Sequence, residues 1–173
     1  MQNLLRIKTV KRISLLFGIG FLLLSCNYDV LYDQYQIIEN TVWNKEKTYY
    51  FTFMVEDIDV PYDITLEIRN NNQYPYQNLW LFCGEERPVG ALRRDTVECL
   101  LADDYGKWYG QGISLFQLSI PLRKNYYFTH KGQYTFSFNQ GMRNDNLKGI
   151  QELGFNVSRS VNAPSSMNPS GGK

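Results

Sequence analysis

A cysteine at position 26 has the most specific chemical setting of any side chain in this sequence. Four basic residues precede it: Arg6, Lys8, Lys11 and Arg12. An apolar run over residues 13–24 (ISLLFGIGFLLL) follows them, and the small residue Ser25 stands directly before the thiol. A charged region, an apolar region and a small residue in this order are typical of a secretory signal peptide.

The cysteine directly after Ser25 makes this segment resemble a bacterial lipobox, since Leu23 supplies a branched aliphatic residue three positions before it. We therefore expect cleavage after residue 25, a diacylglycerol on the sulfur of Cys26 and an acyl chain on its new amino group. The run of 12 apolar residues is too short for a transmembrane helix, which needs about 20. A signal peptide without lipidation stays open, because Leu24 is larger than the residue usually found there.

The charge balance changes when residues 1–25 are removed. Four of the 18 Lys and Arg residues lie in that segment, so 14 basic residues remain against 17 acidic ones, a net charge near −3. No cluster of Lys or Arg is left that would bind phosphates, and we expect no nucleic-acid partner. The remaining 148 residues are enough for one domain with a sizeable core.

Cys83 and Cys99 are the two thiols that remain once Cys26 is lipidated. Both fall in segments that we predict to be neighbouring strands, and an oxidising periplasm permits a disulfide between them. The sequence leaves open the alternative of two free thiols that pack as small apolar side chains. No other cysteine or histidine is close to either one in sequence, so we expect no zinc site.

Side chains of the kinds used in catalysis are present but lack a catalytic pattern. His130, the only histidine, lies in a predicted turn, and no nucleophile elbow or zinc-protease motif occurs. Two acidic clusters lie in predicted loops: Asp57, Asp59 and Asp63, and Asp103 and Asp104. Such acids could bind calcium or serve a glycosidase, although loop carboxylates more often stabilise turns. We expect no catalytic residue, no metal site and no enzymatic activity.

Aromatic residues make up 15% of the chain, with 13 Tyr, 10 Phe and 3 Trp. Four of them are candidates for an exposed interaction surface: Trp43, Trp80, Trp108 and Tyr109. Their rings could dock on another protein or stack on sugars, since β-sandwiches commonly present carbohydrate-binding faces. The alternative is that they fill the core.

Period-two alternation predicts the strands that must position these residues. Four segments alternate apolar and polar side chains: 49–56, 62–69, 134–139 and 152–158. This pattern is typical of strands with one face on a core and the other in water. Weaker strands are predicted at 78–83, 95–101, 112–119 and 122–128, and a short helical piece at 142–150.

Turn residues separate these segments, and the spacing predicts an all-β fold: an antiparallel, jelly-roll-like β-sandwich of about eight strands. The predicted domain spans residues 40–158. Residues 26–39 are predicted as the lipidated N-terminus and a spacer. Residues 159–173, rich in Ser, Pro and Gly, are predicted as a disordered tail.

Six short strings follow one another along the predicted mature chain. They are Cys26 with Tyr32-Asp33, Trp43 ahead of an aromatic strand, IRNNNQYPYQNLWLF at 68–82, Asp95-Thr96 leading to Leu101-Ala102-Asp103, GKWYG at 106–110, and Gly141-Met142-Arg143 with Leu147, Gly149 and Ile150. In this order and spacing they resemble the gliding motility lipoprotein GldH family of the Bacteroidetes. The resemblance covers about residues 26–157 and leaves out the tail.

The resemblance implies a lipid-anchored protein of the cell membrane or outer membrane, with its domain facing the periplasm. It implies association with the gliding machinery and with the type IX secretion apparatus that shares its components. The protein would then dock on other envelope proteins and need no cofactor beyond the lipid on Cys26. The alternative is a surface or periplasmic lipoprotein that binds glycans through exposed aromatic side chains.

Overall fold

The structure, a computed structural model, describes residues 30–161 of the chain. The expected signal peptide, the lipidation site Cys26 and residues 162–173 lie outside the described residues. A single turn of 3-10 helix at Glu39–Thr41 accompanies ten β-strands. The strands are β1 Val30–Ile37, β2 Val42–Asn44, β3 Tyr49–Val55, β4 Tyr62–Asn71, β5 Asn78–Glu86, β6 Arg93–Leu100, β7 Leu115–Tyr126, β8 Gly132–Gln140, β9 Asn146–Lys148 and β10 Ile150–Arg159.

Two four-stranded antiparallel sheets form the body of the domain. Sheet 1 has the order β1-β10-β4-β7, sheet 2 has the order β3-β8-β5-β6, and β2 pairs with β9 in a separate two-stranded ribbon. When only the eight sheet strands are numbered in chain order, the sheets read 1-8-3-6 and 2-7-4-5, which is the jelly-roll arrangement of two Greek keys. The predicted antiparallel jelly-roll sandwich is confirmed.

The buried faces of the strands follow the predicted alternation. In β3, the side chains of Tyr49, Phe51, Phe53 and Val55 are buried while those between them are exposed. Strands β4 and β8 alternate in the same way, and β10 buries its predicted inward positions. Because each strand hides one face and wets the other, the two sheets pack through their inner faces alone.

Phenylalanine rings fill the space between the sheets. The ring centroid of Phe155, in sheet 1, lies 5.4 Å from that of Phe51 and 4.9 Å from that of Phe136, both in sheet 2. Phe53 lies 6.1 Å from Phe155 and 5.9 Å from Phe128. Aromatic pairs at such distances add about 0.5–1.5 kcal/mol each beyond the burial of their surface. Much of the aromatic content of the chain therefore serves the core.

The predicted spacer over residues 26–39 is wrong from residue 30 onward. Residues 30–37 form β1, which pairs with β10 from Val30↔Ser158 to Ile37↔Glu152. As an edge strand, β1 has a hydrogen-bonded neighbour on one side only, and its exposed positions include Asp33 and Gln34. Its apolar alternation is weak for that reason, although Tyr32 packs 5.3 Å from Phe53 across the sandwich.

Two smaller predictions also change. The two predicted strands at 112–119 and 122–128 are replaced by one strand, β7 (Leu115–Tyr126), with Pro121 inside it. Proline is tolerated there because β7 is an edge strand whose outer side needs no ladder hydrogen bond. The helical piece predicted at 142–150 is instead a bend followed by the short strand β9, which pairs with β2.

The two ends of the sandwich carry different loops. One end, which we call the Val30 end, holds Val30 and the loops 56–61, 87–92 and 127–131. The opposite end, which we call the Trp43 end, holds the β2–β9 ribbon and the loops 72–77 and 101–114. Within residues 30–161 no helix is long and apolar enough to cross a lipid bilayer.

Candidate interaction surface

The outer face of sheet 2 presents aromatic side chains to solvent. Trp80 and Phe82 stand two residues apart on β5 and are 39% and 53% exposed, and Tyr50 on β3 is 57% exposed. Residues two apart on a strand share a face, so the two β5 rings form a strip along the middle of the sheet. We call Tyr50, Trp80 and Phe82 the aromatic strip.

A groove of about 660 Å³ lies beside this strip, lined by Tyr50 and Phe82 and floored in part by Gly84 and Ser137. Gly84 and Ser137 are paired across β5 and β8, and the side chain of Leu92 reaches over Gly84. A side chain at position 84 would overlap the Ser137 hydroxyl, so glycine keeps the groove deep. Its volume is in the range of ligand-binding clefts.

Charged and polar groups line the same groove. Lys45 and Glu46 contribute from the β2–β3 connection, and Glu86, Arg94 and Asp95 contribute from β5 and β6. A surface of aromatic rings surrounded by charges of both signs is typical of a protein contact patch with a polar rim.

A second depression of about 490 Å³ adjoins the first around Trp80. The backbone N–H of Gly141 donates to the Trp80 carbonyl at 2.7 Å, and the Phe82 ring lies against Gly141. The backbone N–H of Trp80 donates to the sulfur of Met142 at 3.4 Å. These contacts hold the turn that begins at Gly141 against the backbone of Trp80 and the ring of Phe82.

Trp43 is not part of any exposed surface, and its prediction as an interaction residue is wrong. Its side chain is 0% exposed, packs edge-on against Tyr49 at 5.3 Å, and donates its Nε1–H to the carbonyl of Lys47 at 2.8 Å. The indole N–H thus finds a partner inside the protein. Trp43 closes the core at its end of the sandwich.

Trp108 and Tyr109 lie in the long loop 101–114 at the Trp43 end, away from the groove. The Trp108 ring is half-buried against Phe116 and Tyr74, with centroids 5.9 and 6.3 Å away, and its Nε1–H donates to Asn72. Tyr109 is 56% exposed. The four aromatic residues singled out from the sequence therefore do not form one platform, and Trp80 alone belongs to the aromatic strip.

Cys83 and Cys99 are free thiols, and the disulfide that the sequence left open is not formed. In the β5–β6 ladder Cys99 pairs with Leu79 and Cys83 pairs with Asp95. This offset of four residues separates the two backbones by roughly 13 Å along the strands. A disulfide needs Cα atoms within about 7 Å. Burial raises the pKa of each thiol to about 12.

The acidic clusters hold loops together. Asp57 pairs with Arg159 at 3.0 Å, Asp63 accepts the backbone N–H of Asn125 at 2.9 Å, and Asp103 accepts the N–H groups of two residues in its own turn. His130 is exposed and contacts the neighbouring Thr129 hydroxyl. Among residues 30–161, no three His, Cys, Asp or Glu side chains are placed to share a metal ion.

A network of polar contacts covers the outer face of sheet 1, and the sequence alone did not predict it. The guanidinium of Arg69 lies 4.1 Å from the ring centroid of Tyr35, pairs with Glu152 and donates to Gln117 at 2.9 Å. Gly154 allows the Tyr35 ring to lie directly on the backbone of β10. Because these groups satisfy one another, sheet 1 offers fewer free groups to a partner than sheet 2.

Tyr50 and Phe82 are the surface residues that sequence reasoning missed. Alternation already placed Tyr50 on the wet face of β3, where a tyrosine has no core to fill. Phe82 was hidden in the continuous apolar run NLWLFC, in which a period of two is invisible. An aromatic residue at a solvent-facing position of an alternating strand is the signal that could have found Tyr50, whereas the exposure of Phe82 required the structure.

Fold and surface together define an all-β sandwich protein with an open aromatic face and no converging catalytic groups in residues 30–161. The chain belongs to the GldH lipoprotein family, which matches residues 30–157. This confirms the resemblance seen in the sequence strings. A lipoprotein family implies a membrane-anchored location in the cell envelope.

Two relatives cover most of the chain. A gliding motility lipoprotein GldH homolog of Christiangramia forsetii is 34% identical over 146 residues, which are 80% of this chain and 89% of the relative. The gliding motility lipoprotein GldH of Flavobacterium johnsoniae is 29% identical over 158 residues, 86% of this chain and 96% of the relative.

The comparison with solved structures gives a weak similarity to a much longer protein. Dimeric latent PorU from Porphyromonas gingivalis matches 79% of this chain but 13% of its own length, at 9% identity and a TM-score of 0.27. A similarity this low carries no argument about function.

Proposed function

We propose that this protein is a lipid-anchored, non-enzymatic component of the gliding and type IX secretion machinery. Acyl chains on Cys26 hold it to the membrane, and its domain faces the periplasm. It acts by docking on other envelope proteins through the aromatic strip and the groove of sheet 2. Two or three acyl chains anchor a protein far more firmly than one, because each buried methylene contributes about 0.8 kcal/mol.

The aromatic strip is the observation that carries this proposal. Tyr50, Trp80 and Phe82 all point to solvent on one face of sheet 2. Large exposed rings are enriched at protein interfaces, where they dominate the binding energy. The charged residues around the groove would supply the specificity of the contact.

The chemistry of the described residues supports docking more than catalysis. The carboxylates of the acidic loops stabilise turns or form ion pairs. Burial raises the pKa of the Cys83 and Cys99 thiols to about 12. A nucleophile with so high a pKa is protonated at neutral pH. Binding is therefore the activity for which the surface of this domain is suited.

A double substitution tests the proposal in a gliding host. Trp80→Ser with Phe82→Ser removes two rings of the aromatic strip, neither of which belongs to the buried core between the sheets. We expect the variant protein to reach its usual abundance in membranes while the cells lose spreading on agar and secretion of type IX cargo. A photo-crosslinking analogue at position 82 should form an adduct with one envelope protein.

Tyr105→Ser is the matched control, since Tyr105 is 96% exposed at the Trp43 end and remote from the strip. The control variant should spread and secrete as the unmodified protein does. If the double variant also spreads and secretes normally, the aromatic strip is not the docking surface. If deletion of the whole gene leaves both processes intact, the assignment to this machinery is wrong.

Glycan binding is the second candidate, and the geometry of β5 favours it over other small ligands. Trp80 and Phe82 present exposed rings on one face, and Asn139 and Thr96 flank Phe82 on the neighbouring strands. Rings beside hydrogen-bonding groups suit a sugar. A glycan array probed with the detergent-solubilised lipoprotein would show specific binding that Phe82→Ser abolishes. No specific binding on the array leaves protein docking as the function of the strip.

A further inference from the structure

The distance between the lipid and the domain is set by the start of β1. Only residues 27–29 separate Cys26 from Val30, the first residue of the strand. Four Cα-to-Cα steps span at most roughly 14 Å even when fully extended. If Cys26 carries the lipid, as proposed above, the Val30 end of the sandwich stays within that distance of the bilayer surface.

The strand register shows which loops share this end. Val30 pairs with Ser158 near the end of β10, and the first residue of β4, Tyr62, pairs with Tyr126 at the end of β7. In the other sheet the last residue of β3, Val55, pairs with the first residue of β8. The loops 56–61, 87–92 and 127–131 must therefore face the same way as Val30 and the anchor.

Apolar side chains project from two of these loops. In the β5–β6 turn, Val89 is 59% exposed, and Tyr127 in the β7–β8 loop is 49% exposed, whereas Leu92 folds over Gly84. Pro88 lies against Gly132, so the two loops are next to each other. Aliphatic and tyrosine side chains at the tips of adjacent loops are the groups that enter the boundary between lipid headgroups and acyl chains.

The charges at the Val30 end are divided between its two sides. Basic residues flank the apolar tips on one side: Arg87, Arg93, Arg94 and Lys124. Acidic residues on this side are Glu85, which is buried, Glu86, and Asp95, which faces Arg123 at 3.6 Å. The opposite side, formed by loop 56–61 and the start of β4, is acidic, with Glu56, Asp57, Asp59 and Asp63. Arg159 pairs with Asp57, and Lys131 lies next to Glu56 because Gly132 pairs with Val55.

This division suits an anionic lipid surface. Basic side chains near such a surface are attracted to its headgroups, and acidic ones are repelled. The domain would therefore tilt so that the β5–β6 turn approaches the lipid and loop 56–61 lifts away from it. On a lipid surface without net charge only the apolar contacts would remain, and the domain would favour this tilt less strongly.

We propose that the Val30 end lies on the bilayer, with Val89 and Tyr127 inserted at the headgroup boundary and the flanking Arg and Lys residues on anionic headgroups. The inference rests on lipidation of Cys26. It gives the lipoprotein a second, reversible membrane contact. It also fixes the orientation of the domain, because the Trp43 end then points away from the membrane and the face of sheet 2 stands roughly upright on it.

Depth-dependent quenching tests this arrangement on the full lipidated protein in phosphatidylethanolamine–phosphatidylglycerol vesicles. Val89→Cys carries an environment-sensitive fluorophore, and Ile113→Cys, 94% exposed at the Trp43 end, is the matched control. Lipids with a spin label on the upper part of the acyl chain should quench the probe at position 89 and shift its emission to the blue. The probe at position 113 should show neither effect.

A double variant and its control test whether the basic side chains contribute to the membrane contact. Arg93→Glu with Arg94→Glu should reduce the quenching at position 89 in these vesicles and change it little in phosphatidylcholine alone. Lys148→Glu at the Trp43 end should have no effect in either. Circular dichroism on each variant confirms that the sandwich is folded.

Each outcome separates this inference from the proposed function. If the protein floats with the vesicles but the probe at position 89 is unquenched, the Val30 end does not touch the lipid and the inference is wrong. An unquenched probe that instead crosslinks to a protein in native membranes assigns this end to a protein partner, which also overturns it. If the protein does not float with vesicles at all, lipidation itself has failed.

Discussion

The three tryptophans show how one residue type serves three purposes in this molecule. Trp43 lies entirely inside the core, where its indole N–H donates to a backbone carbonyl. Trp108 packs against Phe116 and so holds the loop 101–114 against the end of the sandwich. Trp80 stands on the wet face of β5. What distinguishes them is the position of each on its strand or loop and the neighbours that meet its ring, so residue type alone indicates little about role.

The two thiols, Cys83 and Cys99, give a testable prediction about individual residues. Burial comes first and the nearby Asp95 carboxylate second in raising the pKa of Cys83 from 9.0 to about 12. Raising the pKa of a thiol by three units lowers its thiolate fraction near neutral pH about a thousandfold. We expect both thiols of the native lipoprotein to resist alkylation at pH 8 and to react fully, without reductant, once the protein is unfolded.

Mass spectrometry after alkylation measures this directly. Thr96→Cys is the control, because position 96 is on the exposed face of β6 beside the same strand pair. That introduced thiol should react within the time in which Cys83 and Cys99 stay unmodified. Two cysteines that become reactive only after reduction would reveal a disulfide and contradict the ladder register.

At the scale of elements, β1 is the strand whose role is least visible in the sequence. It contributes Tyr32 to the core, covers the edge of β10, and reaches the other sheet through Gln36, whose side-chain amide donates to the Tyr50 carbonyl at 2.5 Å. Without β1, the ladder groups of β10 that now pair with it would be unpaired at a new sheet edge. Uncovered edges of this kind promote aggregation.

Truncation of the chain tests whether residues 30–37 act as a strand of the fold or as a spacer. A soluble form that begins at residue 38 should aggregate or unfold at a much lower temperature than one that begins at residue 27, because it loses β1 and the Tyr32 contact. Thermal unfolding followed by circular dichroism measures the difference. As a control, a chain that ends after Val161 keeps every strand and should melt as the longer form does. Equal melting of the forms that begin at 27 and 38 would mean that β1 adds nothing to the fold.

In the proposed arrangement, the whole molecule is a sandwich with the membrane at its Val30 end and protein partners on the face of sheet 2. Because three residues separate Cys26 from β1, a lipid on Cys26 would control where the domain sits and also which way it can turn. A long flexible spacer would leave the aromatic strip free to face any direction. The short connection instead confines it to a narrow layer above the lipid, where partners in the same membrane can meet it.

Cys26→Ser tests the importance of this placement for the molecule as a whole. The variant should fold normally, since residue 26 precedes the first strand, and it should be found in the soluble envelope fraction. We expect loss of gliding and of type IX secretion even when the soluble protein is as abundant as the anchored one. Cell fractionation, spreading assays and secreted-cargo analysis provide the measurements, and full function in the soluble form would show that the anchor is dispensable.

Local patterns were enough to predict much of the fold. Period-two alternation in β3, β4, β8 and β10 identified which side chains enter the core, because a strand sends successive residues to opposite faces whatever its neighbours are. The all-β class and the expectation of an antiparallel sandwich of jelly-roll type followed from the number of such strands and the turns between them, whereas the actual order of the strands did not. The six short sequence strings that mark the family were likewise recognisable from the sequence alone.

Other features depend on which strands become neighbours, and only the tertiary structure decided them. The register of β5 on β6 separates Cys83 from Cys99, and the pairing of β1 with β10 turns a polar segment into a strand. The aromatic strip arises because β3, β8 and β5 lie side by side and turn Tyr50, Trp80 and Phe82 to one face. Alternation reports the two faces of one strand, whereas register and sheet order are contacts between distant residues, which no local pattern contains.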